Sequence, residues 1–358
     1  MGLMTDTPSA RFLFIDAMRG IAAMLVVLFH ANEGKHIPTL FQNLPRWFQL
    51  IIENGNHGVA IFFVLSGFVI SHSVYSYRVT GTFVSRFVVR RSLRLDPPYW
   101  VAIAVTLGFA YLSAAFIPDK ASPEWSLNQI IAHFFYLQAI LGFPHVNDVF
   151  WTLCLEVQFY LVYIGLLLIA RNDPQQRLHG RYTVWVLGAA AAISTLWPLG
   201  IITMPIWPGL FLPHWHAFLL GASAYWTWRN RQIQPLFFVF VAVVAVASMI
   251  HGNTFSLMCA ATTVLIFLVA VSGRLHTVLA WRWIQYLGLI SYSLYLFHNP
   301  ISGASFRVGY MLTGHSLVWE AVWWIMSIAA CIIFSGVMWF AIERPSVRLS
   351  RLIRLKVA

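Results

Sequence analysis

Three side chains that could donate or accept a proton or bind an anion lie inside apolar stretches: Arg19, His30 and Glu156. Ionisable groups are costly there, so each is a functional candidate. Arg19 and His30 are eleven residues apart, so at about 100° per residue a helix places them on nearly one face, roughly 16 Å apart along its axis. That face carries a guanidinium, which can hold an anion, and an imidazole, which can take up a proton. Alternatively, Arg19 extends to the membrane surface beside Asp16, and His30 lies at the opposite interface.

Glu156 occurs in the segment WTLCLEVQFY, which begins at Trp151 and ends at Tyr160. Tyr160 lies one helical turn on and shares the face of Glu156, whereas Trp151 is nearer the boundary of the apolar run, where aromatic residues are common. A carboxylate in such a run needs a partner. The candidates are Arg19, His30 and His298. A structural hydrogen bond remains the alternative for both Glu156 and His298.

Arginines cluster in the segment FVSRFVVRRSLRLDPPYW. Arg86, Arg90 and Arg94 recur every four residues, which predicts a stripe along one side of a helix, with Arg91 beside it. Such a stripe can bind phosphates. It can equally contact anionic lipid headgroups. His72, near the end of a neighbouring apolar run, adds a polar group on the same predicted side of the membrane.

Ser66 and Gly67 interrupt the apolar run FFVLSGFVIS. Small residues allow two helices to pack closely or a ligand to approach the backbone. Both uses are open from the sequence, and Ser66 is kept as a candidate ligand contact.

Other site classes have no local signature. The sequence contains no HExxH, CxxC, P-loop, strand-linked GxGxxG or GxSxG motif. His214, His216 and His276 are scattered, and the three cysteines lie in apolar runs. We therefore expect no metal site, nucleotide hydrolysis or redox chemistry.

The elements that position these residues are expected to be transmembrane helices. Hydrophobic residues make up 59% of the 358 positions and charged residues 10%, against about 25% charged in soluble domains. The apolar runs have the roughly 20 residues that cross a bilayer as a helix. The predicted fold class is an all-α integral membrane protein with about ten transmembrane helices and a short re-entrant or surface helix near 129–142. The predicted spans are 13–31, 57–77, 97–117, 147–170, 182–202, 212–228, 235–251, 254–272, 284–303 and 317–342.

The charge distribution predicts the orientation. The net charge is +11, and most of the 23 Lys and Arg fall on one side of the membrane if the N-terminus is cytoplasmic. The excess of basic residues in cytoplasmic loops then places both termini inside, and no nucleic-acid partner is needed to explain the charge. The whole chain, 1–358, is expected to form a single membrane domain without a fused soluble domain. The basic segments are 78–94, 171–181, 229–231, 274–282 and 344–356.

Six segments follow one another in a fixed order. They are Arg19 followed after ten residues by His30, FFVLSGF at 62–68, RRSLRLDPPYW at 90–100, WTLCLEVQFY at 151–160, SYSLYLFH at 291–298 and IERP at 342–345. Together they span most of the chain and resemble the motifs of the acyltransferase 3 family of integral membrane O-acyltransferases. One departure is Asp96, where an aromatic or aliphatic residue is commoner before the proline.

The resemblance implies an enzyme of the cytoplasmic (inner) membrane that moves an acyl group, most often acetyl, from cytoplasmic acyl-CoA to a hydroxyl of a surface or exported glycan or glycolipid. His30 would deprotonate that hydroxyl or carry the acyl group transiently, with Glu156 orienting its ring. Arg19 would polarise the thioester carbonyl or bind the donor. The residues expected to hold acetyl-CoA are Arg86, Arg90, Arg91, Arg94, Ser66 and His72. Those expected to line the substrate pocket are Trp151, Tyr160, Tyr295 and His298.

Two other classes compete with this interpretation. A transporter or flippase for an anionic or glycan substrate could use Arg19, Glu156 and His298 as a translocation pathway, although no internal repeat supports it. A purely structural membrane partner would leave the buried charges on matching faces unexplained. A transferase forms a covalent product, whereas a transporter only relocates its substrate. The sequence leaves the acceptor and the oligomeric state open, a homo-oligomer included.

Overall fold

The structure is a computed structural model that describes residues 11–116, 124–170, 181–204 and 206–355. Of the predicted basic segment 171–181, only the backbone of Arg181 belongs to the described residues. The last position of the predicted basic segment 344–356 also lies outside them. The predicted orientation therefore depends on the other basic segments.

The described residues form α-helices joined by short turns, with no β-strand among them. A π-helical turn, Trp339–Glu343, joins the last two helices. The helices are α1 Leu13–Glu33, α2 Pro38–Asn43, α3 Arg46–Glu53, α4 Gly58–Val74, α5 Gly81–Phe116, α6 Leu127–Phe134, α7 Trp151–Ala170, α8 Arg181–Ser194, α9 Trp215–Arg229, α10 Gln234–His251, α11 Thr254–Val271, α12 Arg282–Thr313, α13 Leu317–Met338 and α14 Arg344–Leu352.

Across the described ranges, seven helical stretches are long and apolar enough to cross a membrane, which confirms an all-α, multi-pass membrane protein. The predicted number of about ten spans is not confirmed. The predicted spans 182–202 and 212–228 correspond to α8 and α9, which have 14 and 15 residues, fewer than the roughly 20 that cross a bilayer. The predicted span 284–303 corresponds to α12, which has 32 residues but is not among the seven.

The predicted short helix near 129–142 corresponds to α6, which begins earlier and ends at Phe134. Its N-terminus is capped by Ser126, whose hydroxyl accepts a hydrogen bond from the backbone N–H of Gln129. The loop that follows α6 is bonded to the end of this helix, because His133 Nε2 accepts a hydrogen bond from the N–H of Val146 at 3.0 Å. With eight residues, α6 is too short to cross a bilayer.

Helix α5 contains both the arginine stripe and the apolar segment that follows it. The predicted span is 97–117, but the helix already begins at Gly81 and runs unbroken through Pro97 and Pro98. Because proline lacks an N–H, the carbonyls of Leu93 and Arg94, four residues earlier, lose their helical partners. The basic segment and the membrane-spanning segment are thus one rod.

Close backbone contacts fix how the central helices meet. A Cβ atom on Gly20 of α1 would collide with the backbone of Gly288 on α12. Likewise, a Cβ on Gly67 of α4 would collide with the backbone of α9, and one on Gly221 of α9 with that of α4. Gly67 of the FFVLSGFVIS run is therefore used for helix packing.

The bundle has two chemically different ends. Helices α1 and α12 begin together at one end, where Gln285 Nε2 donates to the carbonyl of Leu13 at 2.9 Å. Helix α5, with its arginines, also begins there, and we call it the basic end. At the opposite end α1 finishes and α7 begins, and Asn299 of α12 donates to Asn147 at 3.2 Å. We call this the His30 end.

Candidate active site

A narrow cavity of about 70 Å³ lies within the bundle, between α1, α4, α5, α7 and α12. It extends from the arginines of α5 towards the His30 end. Its polar lining differs from the surrounding apolar core. The polar lining residues are Arg19, Ser66, Arg91, Arg94, Thr152, Glu156, Tyr160, Tyr292 and Tyr295.

Glu156 is held in this cavity by two hydroxyl groups. Ser66 Oγ donates to Glu156 Oε1 at 2.6 Å, and the hydroxyl of Tyr160 donates to the same oxygen. The contact between α4 and α7 brings Ser66 to the carboxylate, whereas Tyr160 reaches it because the two residues are one helical turn apart. A carboxylate with two fixed donors is oriented and has its charge stabilised.

Three guanidinium groups face the same cavity. Arg91 lies over the ring of Tyr160, with 4.7 Å between its Cζ atom and the ring centroid. The Nε of Arg19 is buried and lacks a hydrogen-bond partner among the described residues. With Arg94 as the third cation and Glu156 as the only carboxylate in the described lining, the cavity carries a net positive charge. Such a site suits an anionic ligand.

A second carboxylate stands behind two of these arginines. Glu343 is 7% exposed and accepts a hydrogen bond from Ser293 Oγ at 2.6 Å. Its charge attracts Arg19 and Arg94, although neither forms an ion pair with it within 4 Å. The π-helical turn before α14 sets the position of Glu343, and such turns often occur at functional sites.

His30 lies outside this cavity and pairs with another histidine. Its Nδ1 is 3.2 Å from Nε2 of His298 and 2.9 Å from the carbonyl oxygen of Val26. The Nδ1 of His298 is 3.1 Å and 2.8 Å from the carbonyl oxygens of Leu294 and Tyr295. His298 is fully buried.

These contacts fix the proton positions of the neutral pair. Because carbonyl oxygens only accept hydrogen bonds, Nδ1 of His298 carries its ring proton and Nε2 is an acceptor. Nδ1 of His30 then donates, which leaves Nε2 of His30 as the free base. That nitrogen lies 3.7 Å from Oε2 of the exposed Glu33. His30 is thus arranged to take a proton on Nε2, next to a carboxylate that stabilises the imidazolium.

The predicted pairing of His30 with Glu156 is wrong. His30 bonds to His298, and Glu156 bonds to Ser66 and Tyr160. The reason is helix packing: the contact of α1 with α12 turns His30 towards His298. The carboxylate beside His30 is Glu33, one helical turn on.

Tyr295 connects the cavity with the histidine pair. It lines the cavity, its ring centroid is 6.1 Å from that of His298, and its hydroxyl donates to the carbonyl of Val149 at 3.0 Å. Thr152 Oγ1 lies 2.8 Å from the same hydroxyl. Tyr295 and Thr152 thus form the polar lining of the cavity on the side that faces the His30 end.

The structure places the other predicted site residues in two groups. Arg19, Arg91, Arg94, Ser66, Glu156, Tyr160 and Tyr295 line the cavity. The remaining four lie elsewhere: Arg86, whose guanidinium donates to the carbonyl of Arg354; Arg90; His72, which bonds to the hydroxyl of Tyr225; and Trp151, which packs against Phe63 and His214.

Several contributing residues were not predicted as site residues. Tyr292 lines the cavity and donates to the carbonyl of Leu95 at 2.9 Å. This residue could have been predicted from the sequence, because Tyr292 lies three residues before Tyr295 and therefore shares its helix face. Glu343 belongs to the IERP segment, but its approach to Arg19 depends on tertiary packing. Among the described residues, no group of three His, Cys, Asp or Glu side chains could hold a metal ion.

The fold and the cavity define the class: a multi-pass helical membrane protein with a charged internal site. The family described as "Acyltransferase domain" (Acyl_transf_3) matches residues 12–342, and the chain belongs to this acyltransferase 3 family. The resemblance in the sequence motifs is thereby confirmed.

The chain is similar to three curated proteins of bacteria. With the peptidoglycan O-acetyltransferase OatA of Listeria monocytogenes it is 22% identical over 379 residues, covering 92% of this chain and 55% of OatA. With the putative membrane-bound transacylase BcsY of Komagataeibacter xylinus it is 26% identical over 325 residues, covering 82% and 73%. With the exopolysaccharide production protein ExoZ of Rhizobium meliloti it is 33% identical over 154 residues, or 41% of each chain.

The chain spans about half the length of OatA and of several other curated relatives it matches. No solved structure matches it.

Proposed function

We propose that the chain transfers an acyl group, acetyl in the first instance, from acyl-CoA bound at the basic end to a hydroxyl of a glycan that approaches the His30 end. One observation carries the proposal. A positively charged cavity and a histidine with a free base nitrogen lie along the same helix, α1, and Tyr295, which lines the cavity, has its ring centroid 6.1 Å from that of His298. The names of OatA and BcsY agree with acyl transfer.

On the donor side, Arg91 and Arg94 bind phosphate groups of coenzyme A, because guanidinium groups pair with phosphate oxygens in fixed geometry. The pantetheine arm then extends through the cavity past Arg19 and Glu156 towards His30. The Nε of Arg19, which has no hydrogen-bond partner among the described residues, is available to donate to a carbonyl oxygen of this arm. Because Arg19 and His30 lie roughly 16 Å apart along α1, the thioester itself lies farther along the helix, beside His30.

On the acceptor side, His30 is the general base. The hydroxyl oxygen of the glycan attacks the thioester carbon while its proton moves to Nε2 of His30. The carbon–sulfur bond breaks, the proton passes to the sulfur, and coenzyme A leaves as the free thiol. The glycan retains the acyl group as an ester. Transient transfer of the acyl group to His30 remains the alternative route.

We place the basic end in the cytoplasm of the producing cell, with both termini on that side of the inner membrane. This orientation follows from the excess of arginine at that end, and it supplies acyl-CoA from the cytoplasm. The acceptor then approaches the His30 end from outside.

The test uses the full chain in nanodiscs of neutral phosphatidylcholine. Binding of acetyl-CoA and release of coenzyme A are measured for the unaltered chain and for the Arg91→Gln/Arg94→Gln variant. We expect the double variant to weaken acetyl-CoA binding at least tenfold, because each lost charged hydrogen bond contributes about 1.5–3 kcal/mol. Arg90→Gln is the matched control, because Arg90 lies on the same helix but not in the cavity.

Transfer itself is tested with acetyl-CoA labelled in the acetyl group and a total glycan extract of the producing cell. Ester-linked label in the glycan supports the proposal. Absence of acetyl-CoA binding would overturn it, and movement of glycan across the bilayer without added mass would favour a transporter.

A further inference from the structure

An open groove crosses the surface at the His30 end. It consists of two adjoining cavities of about 470 and 340 Å³ that share Gly303 and Arg307 of α12. The first also contains Asn147, Asp148 and Asn299. We call the combined feature the Arg307 groove. Asn299 directly follows His298 in α12, so this part of the groove begins one residue along the helix from the histidine pair.

The first part of the groove is built from ordered amide groups. Asn147 is 6% exposed, and its Oδ1 accepts from the N–H of Val149 at 3.3 Å and from Nδ2 of Asn299 at 3.2 Å. Asn299 and the exposed Asp148 line the same cavity. Amide and carboxylate groups held in this way are suited to bind sugar hydroxyls, because they offer both donors and acceptors in fixed positions.

The second part of the groove presents rings. Tyr310 and His315 lie with their ring centroids 3.9 Å apart, and His36 stacks on Phe306 at 4.6 Å. Tyr310 also donates its hydroxyl to the carbonyl of His36. Aromatic faces with a polar edge accommodate the carbon–hydrogen face of a sugar ring. Burial and the nearby Arg307 lower the pKa of His36, so its ring stays neutral near pH 7.

Arg307 lies where the two parts meet. Its guanidinium donates to Ser113 Oγ, and no carboxylate within the described ranges lies within 4 Å of it. The exposed Arg46 at the same end differs, because it forms an ion pair with Glu53 at 3.0 Å. An arginine that is held by a hydroxyl and has no acidic partner within the described ranges retains donors for an anionic ligand.

We propose that the Arg307 groove binds the acceptor glycan through a negatively charged sugar, whose carboxylate or phosphate group pairs with Arg307 while its ring lies against the exposed ring of His315. The inference rests on the proposed acyl transfer and specifies its acceptor. A sugar bound there presents its neighbouring hydroxyl groups to His30.

The test measures binding of defined oligosaccharides to the full chain in phosphatidylcholine nanodiscs. The probes are a galacturonic acid hexamer and the same hexamer with its carboxyl groups methyl-esterified. Glucose 6-phosphate and glucose form the phosphate arm. We expect at least tenfold tighter binding of one charged probe than of its neutral partner, and the probe that shows it identifies carboxylate or phosphate as the recognised group.

The matched variants are Arg307→Gln and Arg46→Gln. Arg307→Gln should abolish the preference for the charged probe, Arg307→Lys should retain part of it, and Arg46→Gln should leave it unchanged. If Arg307→Gln does not fold, salt dependence decides, because only the affinity of the charged probe should fall as salt rises. Equal affinities for charged and neutral probes, or no binding of either acidic probe, would overturn the inference.

Acetyl-CoA binding to the same samples separates the two proposals. If acetyl-CoA binds but the preference for the charged probe is absent, the acceptor inference fails and acyl transfer stands. If acetyl-CoA does not bind, the proposed function fails, and with it the inference.

Discussion

The two ends of α1 hold polar groups in an apolar bundle by different means. Around Arg19 the structure collects full charges, with three arginines and the carboxylate of Glu156 facing a narrow cavity. Around His30 it places an imidazole pair bonded to backbone carbonyls, with the exposed carboxylate of Glu33 at its edge, beside an open groove. Charges suit a ligand that brings charge with it, and a neutral imidazole suits proton transfer. From this difference we infer that donor binding and proton transfer are separated along α1.

The largest effect expected from breaking this division is that of His30→Ala. Loss of a general base lowers the turnover rate by about 10²–10⁴-fold, whereas affinity for acetyl-CoA should stay within twofold. Coenzyme A release and calorimetric binding measure the two quantities. The control is His57→Ala, because His57 is a buried histidine at the same end that bonds to Thr254. A parallel loss of donor affinity would show that the two ends are not separate.

A second prediction sharpens the comparison at the charged end. Tyr160→Phe removes one of the two hydroxyl donors to Glu156, so we expect kcat/KM for acetyl-CoA to fall about tenfold, the loss of one hydrogen bond to a charged group. Tyr163→Phe is the matched control, because Tyr163 is also buried on α7 but bonds to Ser71 and Trp226, outside the cavity. Similar losses in both variants would mean that general destabilisation, not the carboxylate, is responsible.

A smaller effect is expected for Glu33→Gln. Its carboxylate lies 3.7 Å from Nε2 of His30 and can pair with the ring when that nitrogen receives the proton of the hydroxyl. Because Glu33 is exposed, screening limits the benefit, and we expect about a threefold to fivefold decrease in kcat without change in donor affinity. Glu53→Gln, an acid at the same end, should leave kcat unaltered. A larger effect on acetyl-CoA binding than on kcat would contradict the assignment.

The smallest expected effect concerns stability at the His30 end. His133 accepts from Val146 and contacts the carbonyl of Gln129, so only its neutral ring satisfies both contacts. Burial lowers the pKa of His133 below 6.5. The unfolded chain then binds a proton near pH 6.5 that the folded chain does not bind. The contribution of His133 to the free energy of unfolding is therefore fully present above pH 6.5, and it is lost as the pH falls towards the lower pKa of the folded state.

Thermal unfolding between pH 7.5 and pH 5 measures this effect. The midpoint of the unaltered chain should decrease by a few degrees more than that of His133→Gln, which has no titrating ring at this site. His276→Gln serves as the control, because its ring lies at the basic end beside the carbonyl of Arg11. Equal pH dependence in all three proteins would refute the prediction.

Much of the fold follows from the sequence because apolar runs of sufficient length have few alternatives in a membrane. Helices occur at each predicted span within the described residues. Their ends were harder to predict: α5 continues through Pro97 and Pro98, and α8 and α9 stop short of a full crossing. Where a helix ends depends on whether neighbouring helices provide hydrogen-bond partners for its backbone groups. The local sequence does not reveal this.

The sequence by itself determined the class of the protein, the shared face of Arg19 and His30, and the proximity of Tyr160 to Glu156. Each depends only on hydrophobicity or on the helical repeat, which are local properties. The tertiary structure alone decided that His30 meets His298, that Ser66 meets Glu156, and that Arg91 and Arg94, but not Arg86 and Arg90, reach the cavity. These contacts join different helices, and close packing such as that of Gly20 on Gly288 sets which faces touch.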